Sequence, residues 1–222
     1  MPRDNIVMKE KLYTTIVKHY ESCFQKHGDN CLGVGWNNQN DLNKRFEVML
    51  GVIKEDPLSK TELLDLGCGT AMLYEYIQNR RLNNIIYSGL DLSPQYIEVS
   101  RKKFPGSKFY LLDILDDDTA LPQFDYIVMN GVFTQKRNLA FDQMFEYMKN
   151  MVLTVFGKAR KGVVFNVMSK EVDWEDEGNF YLSFDQLEEF LKKKVSTDFI
   201  FRTDYGLYEY TAYVYKVKYK GK

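Results

Sequence analysis

The chain has 222 residues, enough for one well-buried domain and short for two. Its formal net charge is −1, from 30 Lys and Arg against 31 Asp and Glu, so no global field draws it to nucleic acid or an anionic membrane. The three cysteines, Cys23, Cys31 and Cys68, are too few for a disulfide framework and fit a reducing, cytoplasmic setting.

Residues 1–11 are charged and lack the apolar centre of a signal peptide. No run approaches the ~20 apolar residues of a membrane span. The pattern predicts a helix over 5–26, a Gly-rich loop over 28–40 and a helix over 41–54. Pro57 and Ser59 mark the entry to the core. Residues 1–60 are therefore expected to form a helical N-terminal cap packed on a core of residues 61–222, one structural domain in all.

Strands are predicted near 62–66, 84–90, 108–112, 124–130, 161–168, 196–202 and 207–217. Helices are predicted near 71–79, 94–103, 139–157 and 184–194. Such alternation implies right-handed crossovers and a parallel sheet. The short link Asp204-Tyr205-Gly206 makes the last two strands a hairpin. The expected fold is α/β: a Rossmann-like, mostly parallel, seven-stranded sheet with an antiparallel last strand.

The apolar run Leu63-Leu64-Asp65-Leu66 enters the turn Gly67-Cys68-Gly69-Thr70, and a helix follows at once. Glycines at such a junction let a ligand approach the backbone closely. The next strand ends in Asp91, placed to accept hydrogen bonds from a ribose diol. Gly67, Asp91, Asp113 and Asn130 all fall at strand carboxyl ends, where open α/β sheets bind ligands. A dinucleotide fingerprint needs a small residue where this chain has Met72, which disfavours a nicotinamide cofactor.

The run Asp65-Leu66-Gly67-Cys68-Gly69-Thr70 resembles motif I of the class I S-adenosylmethionine-dependent methyltransferases. Residues 87–94, 109–114 and 124–133 resemble the next three motifs. Ala71 departs from the pattern, which often has a further glycine there. The resemblance implies S-adenosylmethionine as cofactor and S-adenosylhomocysteine as product. It implies cofactor contacts at Asp65, Gly67, Cys68, Gly69, Asp91, Leu92 and Asn130, with Asp113 and the Ile114 backbone at the adenine. Residues 33–39 and Arg45-Phe46 resemble a tryptophan loop and helix arginine that precede motif I in small methyltransferases. Arg45 is the candidate partner for the cofactor's carboxylate, since a guanidinium grips a carboxylate bidentately. Trp36 covers the cofactor or fills core.

Methyl transfer is an in-line displacement in which placing the acceptor supplies much of the catalysis. A base is needed only if the acceptor must lose a proton. The candidates are His19, Glu209 and Tyr205, with Asp204 beside them. His19, Cys23, His27 and Cys31 fall at spacing four, but Gly28 should end the helix before Cys31, so no metal site is expected. The acidic, aromatic segment 169–181 reads as a lid over the sheet's active edge, its part 173–181 facing the acceptor.

Residues 130–136 and 165–169 resemble small bacterial methyltransferases associated with surface polysaccharides. That resemblance implies a small polar acceptor, such as an oxygen of a sugar or a nucleotide-linked intermediate. Two other readings stay open: an NAD(P)-dependent oxidoreductase, and a non-catalytic S-adenosylmethionine-binding module.

Overall fold

The computed structural model describes residues 11, 13–54 and 58–217. The expected helical residues 5–10 and 12, Pro57 and the basic stretch 218–222 lie outside the described residues. In chain order the elements are α1 (Thr14–His27), α2 (Gln39–Leu50), β1 (Thr61–Leu66), α3 (Met72–Asn79), β2 (Ile85–Asp91), α4 (Pro94–Lys103) and β3 (Lys108–Leu111). There follow β4 (Phe124–Phe133), α5 (Phe141–Lys158), β5 (Ala159–Ser169), β6 (Tyr181–Leu182), α6 (Phe184–Lys194), β7 (Phe199–Arg202) and β8 (Glu209–Tyr215).

Local chemistry sets the helix starts. Asn38, Ser93 and Ser183 each accept a backbone N–H of their own first turn, at Asp41, Tyr96 and Gln186. Pro94 opens α4, where its missing N–H costs nothing. Helix α1 stops at Gly28, whose φ of 72° is natural only to glycine.

The strands run in the order β3-β2-β1-β4-β5-β8-β7, with β6 paired to β5. Strands β1 to β5 pair in parallel, and β8 runs antiparallel to both β5 and β7. Along β1, Leu64 and Leu66 join one core and Leu63 joins the other, so both faces of the sheet are covered. Phe46 and Met49 of α2 pack on one face with α3 and α4, while α5 and α6 cover the opposite face with Ile16 of α1. The sheet has eight strands where seven were expected. The extra one, β6, has two residues and begins at the last residue of the segment read as a lid. Two residues carry no periodicity, so this strand forms only because Met168 and Ser169 offer it an edge.

Candidate active site

A cavity of about 1070 Å³, counting its open mouth, lies beyond the carboxyl ends of β1, β2, β3 and β4. Its floor is the glycine turn. Gly67 and Gly69 have φ of 76° and 53°, and Ala71 follows at 61°. The N–H groups of Gly67 and Cys68 donate to Leu90 O at 2.8 and 3.0 Å. Gly69 donates to Asp91 Oδ2 at 2.9 Å. These N–H groups are spent on the end of β2, so the glycines give a ligand room rather than donors.

Three carboxyls line the cavity, and no lysine or arginine does among the described residues. Asp65 is buried, and Tyr87 donates its hydroxyl to it at 2.8 Å. Burial pushes the Asp65 carboxyl up to about 7, against the opposing pull of that hydrogen bond. Burial also raises Asp91, opposed by N–H groups of Ser93, Gly69 and Leu92. Asn130 lines the same cavity, and its buried Oδ1 has no hydrogen-bond partner. An orphaned acceptor beside two carboxyls is arranged for a cationic donor.

At the far end, Asp113 accepts Lys11 Nζ and Tyr13 OH, each at 2.6 Å, and Leu115 N–H at 3.1 Å. Burial pushes this carboxyl up, but the Lys11 and Tyr13 bonds outweigh it and hold it below the usual range. Tyr13 also stacks on Tyr147 at 4.9 Å between ring centroids. These contacts tie the start of α1 to the cavity rim. Tyr13, Ile16, Val17 and Tyr20 form one wall. Their spacing of three, one and three is a single helix face, a periodicity that the sequence itself carries. Tyr147 and Met151 of α5 also line the cavity and were not anticipated.

Asp65, Gly67, Cys68, Gly69, Asp91, Leu92, Asp113, Ile114 and Asn130 all line this one cavity, as does Trp36. Arg45 does not. Its Nε lies 3.0 Å from both Glu209 carboxylate oxygens and its Nη2 2.9 Å from Oε2. Arg45 is thereby paired behind the cavity, and the structure does not bring it to the residues expected to hold the cofactor. Glu209 lies off the cavity with it: the residue is 2% exposed, its carboxylate is bound to Arg45 and takes Asn166 Nδ2 at 2.9 Å. A carboxylate so held is no free base.

Tyr205 also lies off the cavity, with its hydroxyl 2.9 Å from Thr211 Oγ1 and its phenol pushed well up by burial. His19 sits on α1 outside the lining. Burial lowers its pKa, helped by the Arg137 charge, and Nε2 lies 3.8 Å from Cys23 Sγ. The expected lid is displaced too. Phe180 N–H bonds Thr134 O, Lys136 N–H bonds Gly178 O, and Phe180 is fully buried, so segment 173–181 is pinned beside residues 134–137.

An open α/β sheet with a glycine turn, an acid on the next strand and a cavity above both defines a Rossmann-like nucleoside-binding protein. A family model described as a methyltransferase domain matches residues 64–152. A Mycobacterium tuberculosis protein named as a methyltransferase is 26% identical over 166 residues, 72% of this chain and 95% of its own length. A malonyl-[acyl-carrier protein] O-methyltransferase of Ilyobacter polytropus is 31% identical over 69% of this chain, which spans 61% of that relative. Among solved structures, the magnesium protoporphyrin IX methyltransferase of Synechocystis PCC 6803 with bound S-adenosylmethionine shares the fold. It has a TM-score of 0.66 at 12% identity, covering 96% of this chain and 100% of that one. The methyltransferase domain over residues 64–152, the methyltransferase relatives and the shared fold together support a class I S-adenosylmethionine-dependent methyltransferase. Among the described residues no helix is long and apolar enough to cross a membrane.

Proposed function

We propose that the cavity binds S-adenosylmethionine and that the methyl acceptor is a small molecule attacking through a free lone pair, in the first instance a carboxylate oxygen. The cofactor supplies an activated methyl group when bound. The residues fit it. Asn130 Oδ1 and Asp65 are the acceptors for its ammonium group, Asp91 for its ribose diol, and Asp113 with the Ile114 backbone for its adenine edge. A dinucleotide would bring a pyrophosphate to a cavity lined, among the described residues, by three carboxyls and no lysine or arginine, which argues against the oxidoreductase reading.

The observation that carries the acceptor class is the state of the bases. Glu209 is tied to Arg45, Tyr205 to Thr211, and His19 stands outside the cavity. Tyr20 lines the cavity, but burial pushes its phenol up to about 12, so it holds its proton at neutral pH. A sugar hydroxyl needs proton removal; a carboxylate does not. The malonyl-[acyl-carrier protein] O-methyltransferases among the relatives act, by name, at oxygen on a small acyl group. The walls of α1 and α5 exclude water around the transfer.

The test is transfer of a radiolabelled methyl group to panels of small carboxylates, acyl thioesters, amines and sugar nucleotides. Label in carboxylates that is released as methanol by mild base supports the reading. Turnover confined to base-stable sugar ethers would overturn it.

A further inference from the structure

Five residues close a ring behind the cavity wall. Gly131 donates its N–H to Asn166 Oδ1 at 2.8 Å. Asn166 Nδ2 donates to Glu209 Oε1 at 2.9 Å, and Glu209 receives the Arg45 fork. The Arg45 guanidinium lies 3.9 Å from the Trp36 ring centroid. Trp36 in turn covers the Gly131 backbone, so closely that a Cβ on Gly131 would come within 2.7 Å of its Cζ2. Gly131 and Trp36 line the cavity, whereas Arg45, Asn166 and Glu209 do not. The three polar residues come from α2, β5 and β8, so the ring ties the cavity wall to three separate elements.

An ion pair between side chains only 12% and 1% exposed is a poor way to gain stability, because desolvation offsets its attraction. What it supplies is geometry. The planar guanidinium is held by both carboxylate oxygens on one side and stacks on the indole on the other, which a lysine cannot do. Asn166 extends the same constraint to the Asn130–Gly131 peptide, and the Gly131 carbonyl, on the following peptide, accepts the Thr134 hydroxyl at 3.1 Å. Asn130, with its orphaned Oδ1, supplies the carbonyl side of the Asn130–Gly131 peptide.

We propose that Arg45, Glu209 and Asn166 are positioning residues that lock Trp36 and the Asn130–Gly131 peptide into the ligand-ready shape of the cavity. The proposal rests on the cofactor reading above, and its test separates the two. The chain has two tryptophans, and Trp174 is 75% exposed and outside the cavity. Trp174→Phe therefore leaves Trp36 as the sole indole reporter.

In that background, acrylamide quenching of the unliganded protein reports the lock on Trp36, and calorimetry reports affinity for S-adenosylhomocysteine. Arg45→Lys is expected to raise the quenching constant about twofold or more and weaken binding about tenfold, with a melting temperature within a few degrees of the parent. Trp36→Leu should weaken binding comparably, and adding Arg45→Lys to it should cost little more, because both act through one contact. Glu209→Gln, which keeps the side chain's shape but replaces one acceptor oxygen of the Arg45 fork by an NH2 donor, repeats the test if Arg45→Lys does not fold. Unchanged quenching in folded variants, or fully additive losses of affinity, would overturn the proposal. Failure of the Trp174→Phe parent to bind S-adenosylhomocysteine would instead sink the cofactor reading, leaving the quenching result to decide the lock.

Discussion

Gly69 N–H and Asp91 Oδ2 stand 2.9 Å apart, so the turn after β1 and the acid ending β2 form one unit. The other oxygen of Asp91 takes Ser93 N–H at 2.9 Å and fixes the start of α4. Asp91 is thus structural before any ligand arrives. Asp91→Ala removes two charge-assisted bonds and the ribose acceptor together. It should cost roughly 1–3 kcal/mol of stability and weaken S-adenosylhomocysteine about 10–100-fold. Thermal melts and calorimetry check both. Undiminished affinity in a folded Asp91→Ala protein would remove the ribose assignment.

Asp65 makes the unliganded protein's stability depend on pH. In the fold its carboxyl keeps its proton to about pH 7, whereas an unfolded chain releases it near ~3.9. Between these values the folded state binds more protons. The contribution is therefore complete below about pH 4 and lost as pH rises to 7. A cofactor ammonium favours the charged carboxylate, so binding should release a proton near pH 6–7. Calorimetry in buffers of different ionisation enthalpy measures that release. In Asp65→Asn the release should vanish, affinity should fall about tenfold, and the melting temperature should decline less between pH 5 and 8.

How far the molecule was legible follows from how local each signal is. The succession of strands and helices and the residues at the carboxyl ends of β1 to β4 could be read because each rests on a contiguous run ending in a turn or an acid. Arg45 and Glu209 are 164 positions apart, so nothing in either neighbourhood says that each neutralises the other. Titratable residues drew the reading toward His19, while the apolar face of the same helix, Tyr13 to Tyr20, proved to be the cavity wall. Segment 173–181 looked like a lid because it is acidic. Its anchor, the buried Phe180, depends on a partner strand that only the fold supplies.

Lys11 and Tyr13 latch the start of α1 to Asp113, at the end of the cavity proposed for the adenine. Lys11 is partly exposed and also pairs with Asp116, so its share should weaken in salt. The Tyr13 hydroxyl bond should persist. Tyr13→Phe removes that one bond and keeps the stacking on Tyr147. It should speed release of S-adenosylhomocysteine about 3–10-fold with little change in the association rate. Stopped-flow fluorescence measures both. An unaltered release rate would mean that the latch does not cover the ligand.

Three successive alternate residues of the turn hold positive φ: Gly67, Gly69 and Ala71. They differ in what a larger side chain would meet. At Gly69 a Cβ would come 3.2 Å from Val34 Cγ1, a residue of the cavity wall, and a β-branched side chain at φ of 53° is strained besides. Gly69→Val should leave a protein folded by circular dichroism, lower its melting temperature by several degrees, and weaken S-adenosylhomocysteine by at least about 100-fold. Ala71→Gly is the matching control. It relieves a left-handed alanine, a gain of about 1–2 kcal/mol, and loses about 0.4–1 kcal/mol to the freer unfolded chain together with a small buried methyl. Its melting temperature should stay near that of the parent, with binding intact. A folded Gly69→Val protein that binds normally would move the cofactor off this turn, whatever Ala71→Gly does.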